Sequence, residues 1–206
     1  YGFITYHLPA GDIDIIQKFI SIDIPVLART WLKEDEDIGH YRVVKGYDKN
    51  RGILIQDDSL QGKNLKYSYE EFNKLWQAFN YEFLIIVRAD KYELAQSILG
   101  DIVSDRDAWE KALDLADEQL GNNPNNLYAN FNKITALYSL GRYQEAVDVF
   151  EEIKDRLPRR MLWYQIEPIL AYYQLEDYDK VMQISQEVFD SQNRAFSELH
   201  FLRGNI

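Results

Sequence analysis

His40 and Asp57 stand at the ends of two strand-like segments, where an imidazole and a carboxylate can meet. The segments Tyr41–Lys45 and Ile53–Gln56 are rich in apolar residues, and the turn Asp48–Gly52 between them is typical of a hairpin. A carboxylate at the adjacent strand end can fix the tautomer of an imidazole, which then accepts and returns a proton. The alternative is plainer, because an acid after a strand also suits a turn and a single histidine on a strand is more often structural.

Other chemistry is limited by what the sequence lacks. It contains no cysteine, which excludes disulfides, thiolate metal ligands and a thiol nucleophile within these residues. It also lacks a phosphate-binding loop, a His-Glu-x-x-His motif and a dinucleotide fingerprint. The acidic run Glu34–Asp37 does not have the ligand spacing of a calcium loop and is interpreted as a solvated loop. We therefore expect neither a cofactor nor a metal ion.

Several runs in the first half of the chain form a familiar pattern. They are Gly39–Asp48, Ile53–Asp57 and Tyr67–Trp76, with Ile24-Pro25-Val26 upstream. Over about residues 10–88, this pattern resembles the second half of cysteine-peptidase family thirty-nine. These are papain-like double-glycine peptidases that process bacteriocins.

The resemblance implies that His40 is the family's histidine and Asp57 its acid, with Asp58 where the family has a proline. The family's nucleophilic cysteine at a helix start, and its upstream oxyanion-donating glutamine, have no counterpart in this sequence. Loss of a triad nucleophile lowers the rate by about 10⁶-fold. We therefore expect this chain to be inactive as a peptidase by itself.

Residues 1–88 mix helical and strand patterns in the predicted order helix, strand, hairpin, helix, strand. Apolar residues at helical spacing in Ile13–Ile20 predict the first helix. The capping box Ser68–Glu71 predicts the start of the second. Tyr81–Val87 is predicted as the last strand.

From about Lys91 onward, the sequence shows only helical periodicity, and the pattern repeats. The run Leu140–Ala146 returns as Leu175–Val181, and Pro124 and Pro158 are also one period apart. A period of about 34 residues, with small and aromatic residues at fixed offsets and a closing proline, is the tetratricopeptide signature. The predicted units are about 93–124, 127–158 and 162–194, with a partial unit from Ser197.

These patterns predict an α+β chain: a partial papain-like antiparallel sheet domain (1–88), followed by an all-α tetratricopeptide superhelix (91–206). An ordinary helical bundle is the alternative for the second part. In tetratricopeptide arrays the first helix of each hairpin lines a concave groove, and rigid aromatic side chains there suit peptide binding. The candidate peptide-binding residues are Tyr128, Phe131, Tyr138, Trp163 and Tyr173, with Thr135, Ile166 and Leu170 on the same face. The same side chains are also what a helical core needs.

The expected partner is a protein or a peptide. The net charge of −11 argues against nucleic acid, because an acidic surface repels phosphate. No apolar run approaches the length of a membrane span, and no signal peptide is recognised. The compartment stays open, although relatives in the resembled family are often exported.

The leading interpretation is a fragment of a peptidase-like protein whose repeats bind a protein or peptide. One alternative is a non-enzymatic tetratricopeptide adaptor with a degenerate peptidase-like domain. Another is an immunity or regulatory protein that binds peptide without cutting it. Because both chain ends look cut, we expect an uncovered sheet face and edge. Residues before about Ile24 should then be poorly ordered or paired with another chain, and self-association through the exposed sheet edge is expected.

Overall fold

The computed structural model describes residues 2–34, 36–191 and 193–206 of the chain. Its first part is an antiparallel sheet with accompanying helices. The strands are β1 (Phe3–Leu8), β2 (Val26–Lys33), β3 (Glu36–Asp48), β4 (Ile53–Asp58), β5 (Gly62–Ser68) and β6 (Phe83–Arg88). The helices of this part are α1 (Ile13–Ser21), α2 (Tyr69–Trp76) and α3 (Tyr92–Leu99).

The sheet has the strand order β1-β6-β2-β3-β4-β5. Val44 of β3 pairs with Gln56 of β4, which confirms the predicted hairpin. The capping box is also confirmed, since Ser68 and Glu71 exchange side-chain and backbone hydrogen bonds at the start of α2. Part of the acidic run belongs to the sheet and not to a loop, because Glu36 of β3 pairs with Lys33 of β2. Asp35 lies outside the described residues.

One face of the sheet carries the core of this part. Val26, Ala28 and Val44 point to that face and are fully buried under α1, α2 and α3. The first segment of the chain contributes to the same core, because Leu8 of β1 and Phe19 of α1 are also buried. Of the two alternatives expected for the residues before Ile24, poor order is therefore wrong for residues 2–23, which form β1 and α1, whereas a contact with another chain stays a prediction.

The chain divides into two compact units, Tyr1–Leu115 and Ala116–Ile206. The division falls inside helix α4 (Asp105–Asn122), rather than near Lys91, where the sequence analysis placed it. The physical reason is that Ala95 and Leu99 of α3 belong to the same apolar cluster as the sheet. The first predicted repeat, about 93–124, is thus divided between the two units.

The second unit is helical in the residues that the structure describes. After α4 its helices are α5 (Leu127–Ser139), α6 (Tyr143–Ile153), α7 (Met161–Tyr164), α8 (Glu167–Gln174), α9 (Tyr178–Asp190) and α10 (Ser197–Gly204). Helix α5 packs on α6, and α8 packs on both α6 and α9. Glu151 of α6 joins the two hairpins, since it accepts hydrogen bonds from Tyr172 of α8 and Lys180 of α9. In the described ranges no helix is both long and apolar enough to cross a membrane.

The turns α5–α6 and α8–α9 have the same backbone geometry. Gly141 and Glu176 both have positive φ, 77° and 60°. Gly141 N–H donates to the carbonyl of Tyr138 at 2.9 Å, and Glu176 N–H donates to that of Tyr173 at 3.1 Å. Each tyrosine also packs against the tyrosine that opens the next helix. The repeated sequence motif therefore forms a repeated turn.

This turn predicts a stabilising substitution. A left-handed backbone conformation costs a residue with a Cβ about 1–2 kcal/mol, whereas glycine adopts it freely. Glu176→Gly is expected to raise the free energy of unfolding by about 0.5–1 kcal/mol, after the greater chain entropy of glycine is subtracted. Chemical denaturation measures it. The control Glu152→Gly, in exposed helical backbone, should lower stability by a similar amount. A loss of stability in both variants would contradict the turn geometry.

Candidate functional site

Strand alternation decides which carboxylate can meet His40. On β3, the side chains of His40 and Arg42 point to the core face of the sheet, together with Val44. On β4, Gln56 and Asp58 point to the same face. Neighbouring residues on a strand face opposite sides of the sheet. Asp57, which lies between Gln56 and Asp58, therefore points away from His40.

His40 and Asp58 form the imidazole–carboxylate contact of this sheet. Nε2 of His40 lies 3.1 Å from Oδ2 of Asp58, the imidazole is 15% exposed, and the carboxylate is fully buried. The two atoms are at ion-pair distance, although neither is aligned for a hydrogen bond in the described part of the chain. The other oxygen of Asp58 accepts hydrogen bonds from the backbone N–H groups of Leu60 and Gln61, at 2.7 and 2.8 Å. The turn after β4 therefore fixes the carboxylate beside the imidazole.

Arg42 is a second cation on the same carboxylate. Its guanidinium is fully buried and lies 3.4 Å from Oδ2 of Asp58. It also donates to the hydroxyl of Thr30 at 2.9 Å, the amide oxygen of Gln61 at 3.2 Å and the backbone carbonyl of Leu32. A buried charge is stable only when it is paired and hydrogen-bonded, and Arg42 meets both conditions.

The environment keeps Asp58 ionised at neutral pH. Burial opposes the charge, but the backbone N–H groups of Gln61 and Leu60, with His40 and Arg42, hold the pKa of its carboxyl below the usual value. An ionised carboxylate can orient the imidazole and stabilise its protonated form. This arrangement can serve general acid–base chemistry on a group placed beside His40.

Asp57, the acid that the sequence analysis paired with His40, points to the other face. Its carboxylate accepts from Nζ of Lys45 at 2.7 Å and from the backbone N–H of Asn64 at 2.8 Å. The side-chain hydrogen bond from Lys45, followed by that backbone bond, lowers the pKa of Asp57. The predicted contact between His40 and Asp57 is therefore corrected to His40 and Asp58, for the reason of strand alternation. The continuous apolar run Ile53-Leu54-Ile55 hid the alternation in the sequence.

Gln56 is a buried amide beside this site. Its side chain is fully buried, and neither its oxygen nor its nitrogen has a hydrogen-bond partner among the described residues. An unsatisfied buried polar group costs about 1–3 kcal/mol. Gln56→Met, which keeps the volume and removes the polar atoms, is expected to raise the free energy of unfolding by about 1–2 kcal/mol.

A neighbouring glutamine provides the control for that prediction. The side chain of Gln61 accepts from Arg42 and from the hydroxyl of Tyr67. Gln61→Met should therefore lower stability. Thermal or denaturant unfolding of the two variants tests whether the free energy of unfolding rises in Gln56→Met and falls in Gln61→Met. Equal destabilisation by the two substitutions would contradict the prediction.

A second histidine contact lies on the opposite face of the sheet, at His7 of β1. Nε2 of His7 is 3.5 Å from Oε2 of Glu82, and the same oxygen is 3.1 Å from the guanidinium of Arg29. Burial opposes ionisation of Glu82, but His7 and Arg29 together lower its pKa. The hydrogen bond to Glu82 raises the pKa of His7. The contact ties β1 to the end of the sheet near β6.

The candidate peptide-binding residues of the second unit differ in their exposure to solvent. Phe131 is fully buried, so a peptide cannot reach it, and its proposed contact role is corrected to a core role. Tyr138 and Tyr173 are half-buried in the two repeated turns. Trp163 is half-buried, with its indole N–H donating to the hydroxyl of Ser191 at 2.9 Å. Tyr128 is half-buried near the start of α5.

An apolar hollow lies between α8 and α10. It has a volume of about 460 Å³ and is lined by Ile166, Leu170, Ser197, Glu198, Phe201 and Leu202. Phe201 is 73% exposed. Ile166 and Leu170 lie on the predicted groove face, whereas the residues of α10 could not be assigned to it, because the sequence contains only the start of that unit's pattern.

Similarity to known proteins concerns the sheet. The model of the Peptidase C39 like family matches residues 4–83. Among solved structures, a chain from Bacillus anthracis described as a candidate C39-like peptidase is 21% identical, with a TM-score of 0.35; the match covers 41% of this chain and 51% of that one. The present chain thus spans about half the length of that protein. No curated protein matches the chain. On the family match, the sheet unit is similar to the C39-like peptidases.

Proposed function

We propose that this chain is part of a peptidase-like protein in which a tetratricopeptide-type helical array binds a protein or peptide. The sheet unit, which is similar to C39-like peptidases, supplies the acid–base pair His40 and Asp58. On its own the chain does not cleave peptides. The proposed lack of peptidase activity rests on one observation: the imidazole and the carboxylate are positioned together, but the sequence contains no thiol.

The chemistry explains the expected inactivity. In a cysteine peptidase the imidazole deprotonates a thiol and later protonates the leaving amine. His40 has the carboxylate it needs for both steps, but none of the 206 residues is a cysteine. We expect no turnover of a double-glycine peptide by the purified chain. Turnover that disappears in the variant His40→Ala would contradict this proposal.

Two features support an array of repeats in the second unit. The turns at Gly141 and Glu176 have the same sign of φ and the same backbone hydrogen bonds, and they occupy equivalent positions in the repeated motif. The hairpins they close pack side by side, through α6 and α8. Stacked helical hairpins that each bury one face against the next are the physical basis of such arrays.

The hollow between α8 and α10 is where we place peptide binding. Exposed apolar groups rimmed by polar ones mark binding surfaces, and an aromatic side chain at such a surface commonly contributes strongly to affinity. Its lining includes the apolar Leu170 and Phe201 and the exposed polar residues Ser197 and Glu198. An extended peptide with a large apolar side chain, followed by a lysine or arginine facing Glu198, fits this chemistry.

Titration calorimetry with short synthetic peptides of that design tests the assignment. Phe201→Ser is expected to weaken binding by at least about tenfold, since loss of a central aromatic contact commonly costs 2 kcal/mol or more. Met182→Ser is the control, because Met182 is an exposed apolar residue of α9 outside the hollow. Equal effects of the two substitutions would place the binding surface elsewhere.

A non-enzymatic adaptor is the second candidate. One observation favours it: the carboxylate of Asp58 is shared with the buried Arg42 and is not aligned for a hydrogen bond to His40. In that case only the helical repeats bind the partner, and His40→Ala should leave peptide binding unchanged. Loss of peptide binding in His40→Ala, with the fold intact, would argue that the sheet unit takes part.

A further inference from the structure

A small cavity lies in the first unit, between the end of β2 and helix α2. It has a volume of about 170 Å³ and is lined by Leu32, Lys33, Glu34, Tyr67, Glu71 and Leu75. Pockets for drug-sized ligands have volumes of about 300–1,000 Å³, so this smaller cavity suits a single side chain.

Arg42 connects this cavity with the contact between His40 and Asp58. Its guanidinium lies 3.4 Å from Oδ2 of Asp58 and donates to the backbone carbonyl of Leu32. It also donates to the hydroxyl of Tyr67 at 3.4 Å. Both Leu32 and Tyr67 line the cavity. The cavity is therefore one side chain away from the imidazole–carboxylate pair.

The lining combines apolar and acidic groups. Leu75 is buried and Leu32 and Tyr67 are half-buried, whereas Glu34 and Glu71 are exposed. A side chain with a long apolar stem and a cationic end matches both kinds of group, because the stem can contact apolar surface while the charge stays near water and the carboxylates.

The negative charge of this lining is not compensated from within the protein. The two nearby lysines, Lys33 and Lys74, are paired with acids that do not line the cavity, at 2.8 and 3.2 Å. Neither Glu34 nor Glu71 forms an ion pair with any residue in the ranges 2–34, 36–191 and 193–206. The cavity therefore favours a cation.

Glu71 keeps one carboxylate oxygen for such a ligand. The hydrogen bonds that it accepts from the backbone N–H and the hydroxyl of Ser68, at 2.8 and 2.7 Å, both end on Oε2. These bonds hold the pKa of Glu71 below its usual value, so the carboxylate is ionised at neutral pH. Its Oε1 stays available.

We propose that this cavity binds the arginine side chain of a peptide beside the His40–Asp58 pair. Arginine suits the site better than lysine, because its planar guanidinium presents several N–H donors that can bind two carboxylates at once. Its stem would contact Leu32, Tyr67 and Leu75. This inference goes beyond the proposed function, which places peptide binding only in the hollow between α8 and α10.

A nuclear magnetic resonance titration of the full chain tests the proposal. The probe is a blocked pentapeptide with one central arginine among alanines, and its twin carries citrulline, which has nearly the same shape without the charge. Shift changes centred on residues 32–34 and 67–75 are expected. The arginine peptide should bind about tenfold more tightly than the citrulline peptide, since it alone forms charge-assisted hydrogen bonds.

Three glutamate-to-glutamine variants locate the site. Glu34→Gln and Glu71→Gln should each weaken binding of the arginine peptide by about three- to fivefold. Glutamine at position 71 can still form the capping box of α2. Glu93→Gln is the matched control, because it removes the same charge from an exposed position of α3 outside the cavity. It should leave binding unchanged within error. Circular dichroism checks folding, and if Glu71→Gln fails to fold, Glu34→Gln decides.

The outcomes separate this proposal from the proposed function. Equal affinity for the arginine and citrulline peptides, or equal weakening by Glu34→Gln and Glu93→Gln, would overturn it. Shift changes centred on the hollow between α8 and α10, lost in Phe201→Ser and kept in Glu34→Gln, would also overturn it while supporting peptide binding by the helical unit.

Discussion

Asp58→Asn is expected to lower the free energy of unfolding by about 3–5 kcal/mol, whereas Asp57→Asn should change it by less than about 1 kcal/mol. The two residues are adjacent, and the substitutions are chemically identical. Asp58 is fully buried against Arg42 and His40, so its neutralisation leaves a buried guanidinium without its counter-ion. Asp57 forms a half-exposed pair with Lys45. Denaturant unfolding of both variants at neutral pH measures the difference.

The same prediction has a pH dependence. The folded state lowers the pKa of Asp58 below its unfolded value. Its contribution to stability is therefore fully present above the unfolded pKa, near 4, and is lost as the pH falls through the folded value. Wild-type stability should decrease more steeply than that of Asp58→Asn on acidification below about pH 5. If the stability of both proteins decreased equally with falling pH, the Asp58 carboxylate would not contribute to the pH dependence of stability.

Gly11→Ala is the second large effect, with an expected loss of about 3 kcal/mol. A Cβ on Gly11 would lie 2.7 Å from a ring carbon of Phe83 and 2.8 Å from two ring carbons of Trp76. Both rings are fully buried and cannot move without disturbing the core. Closely packed interiors tolerate an added methyl group poorly for this reason.

Gly121→Ala is the matched control for that substitution. A Cβ there meets no atom within 4 Å, and Gly121 lies in helix α4, where alanine is the better helix former. Its stability should stay the same or rise slightly. Thermal unfolding of the two variants provides the measurement, and an equal, small effect at both positions would contradict the close packing at Gly11.

Local sequence patterns predicted much of the sheet unit. The hairpin of β3 and β4, the helix α1 and the cap of α2 each follow from short-range signals of turn chemistry, helical spacing and capping. β1 and β5 were missed, because Phe3–Leu8 and Gly62–Ser68 have weak or no alternation of polarity. Their strand state depends on partners distant in the sequence, as is common for β-structure.

The site was predicted less completely than the fold. His40 was identified from its position on the strand and from the resemblance to a peptidase family. Its predicted partner, Asp57, is one residue away from the observed partner, Asp58. Side chains on a strand alternate between the two faces, and the apolar run before Gln56 does not show which residues face the core. The role of Arg42 could not be predicted, since a charged residue on a strand usually faces solvent and only the fold reveals its burial.

The pairing of His40 with Asp58 is tested most directly by double-mutant cycles of unfolding free energy at mildly acidic pH. One cycle combines His40→Ala with Asp58→Asn, and the other combines His40→Ala with Asp57→Asn. We expect a coupling energy of about 1 kcal/mol for the first cycle and none beyond error for the second. Coupling of His40 to Asp57, with none to Asp58, would contradict the account.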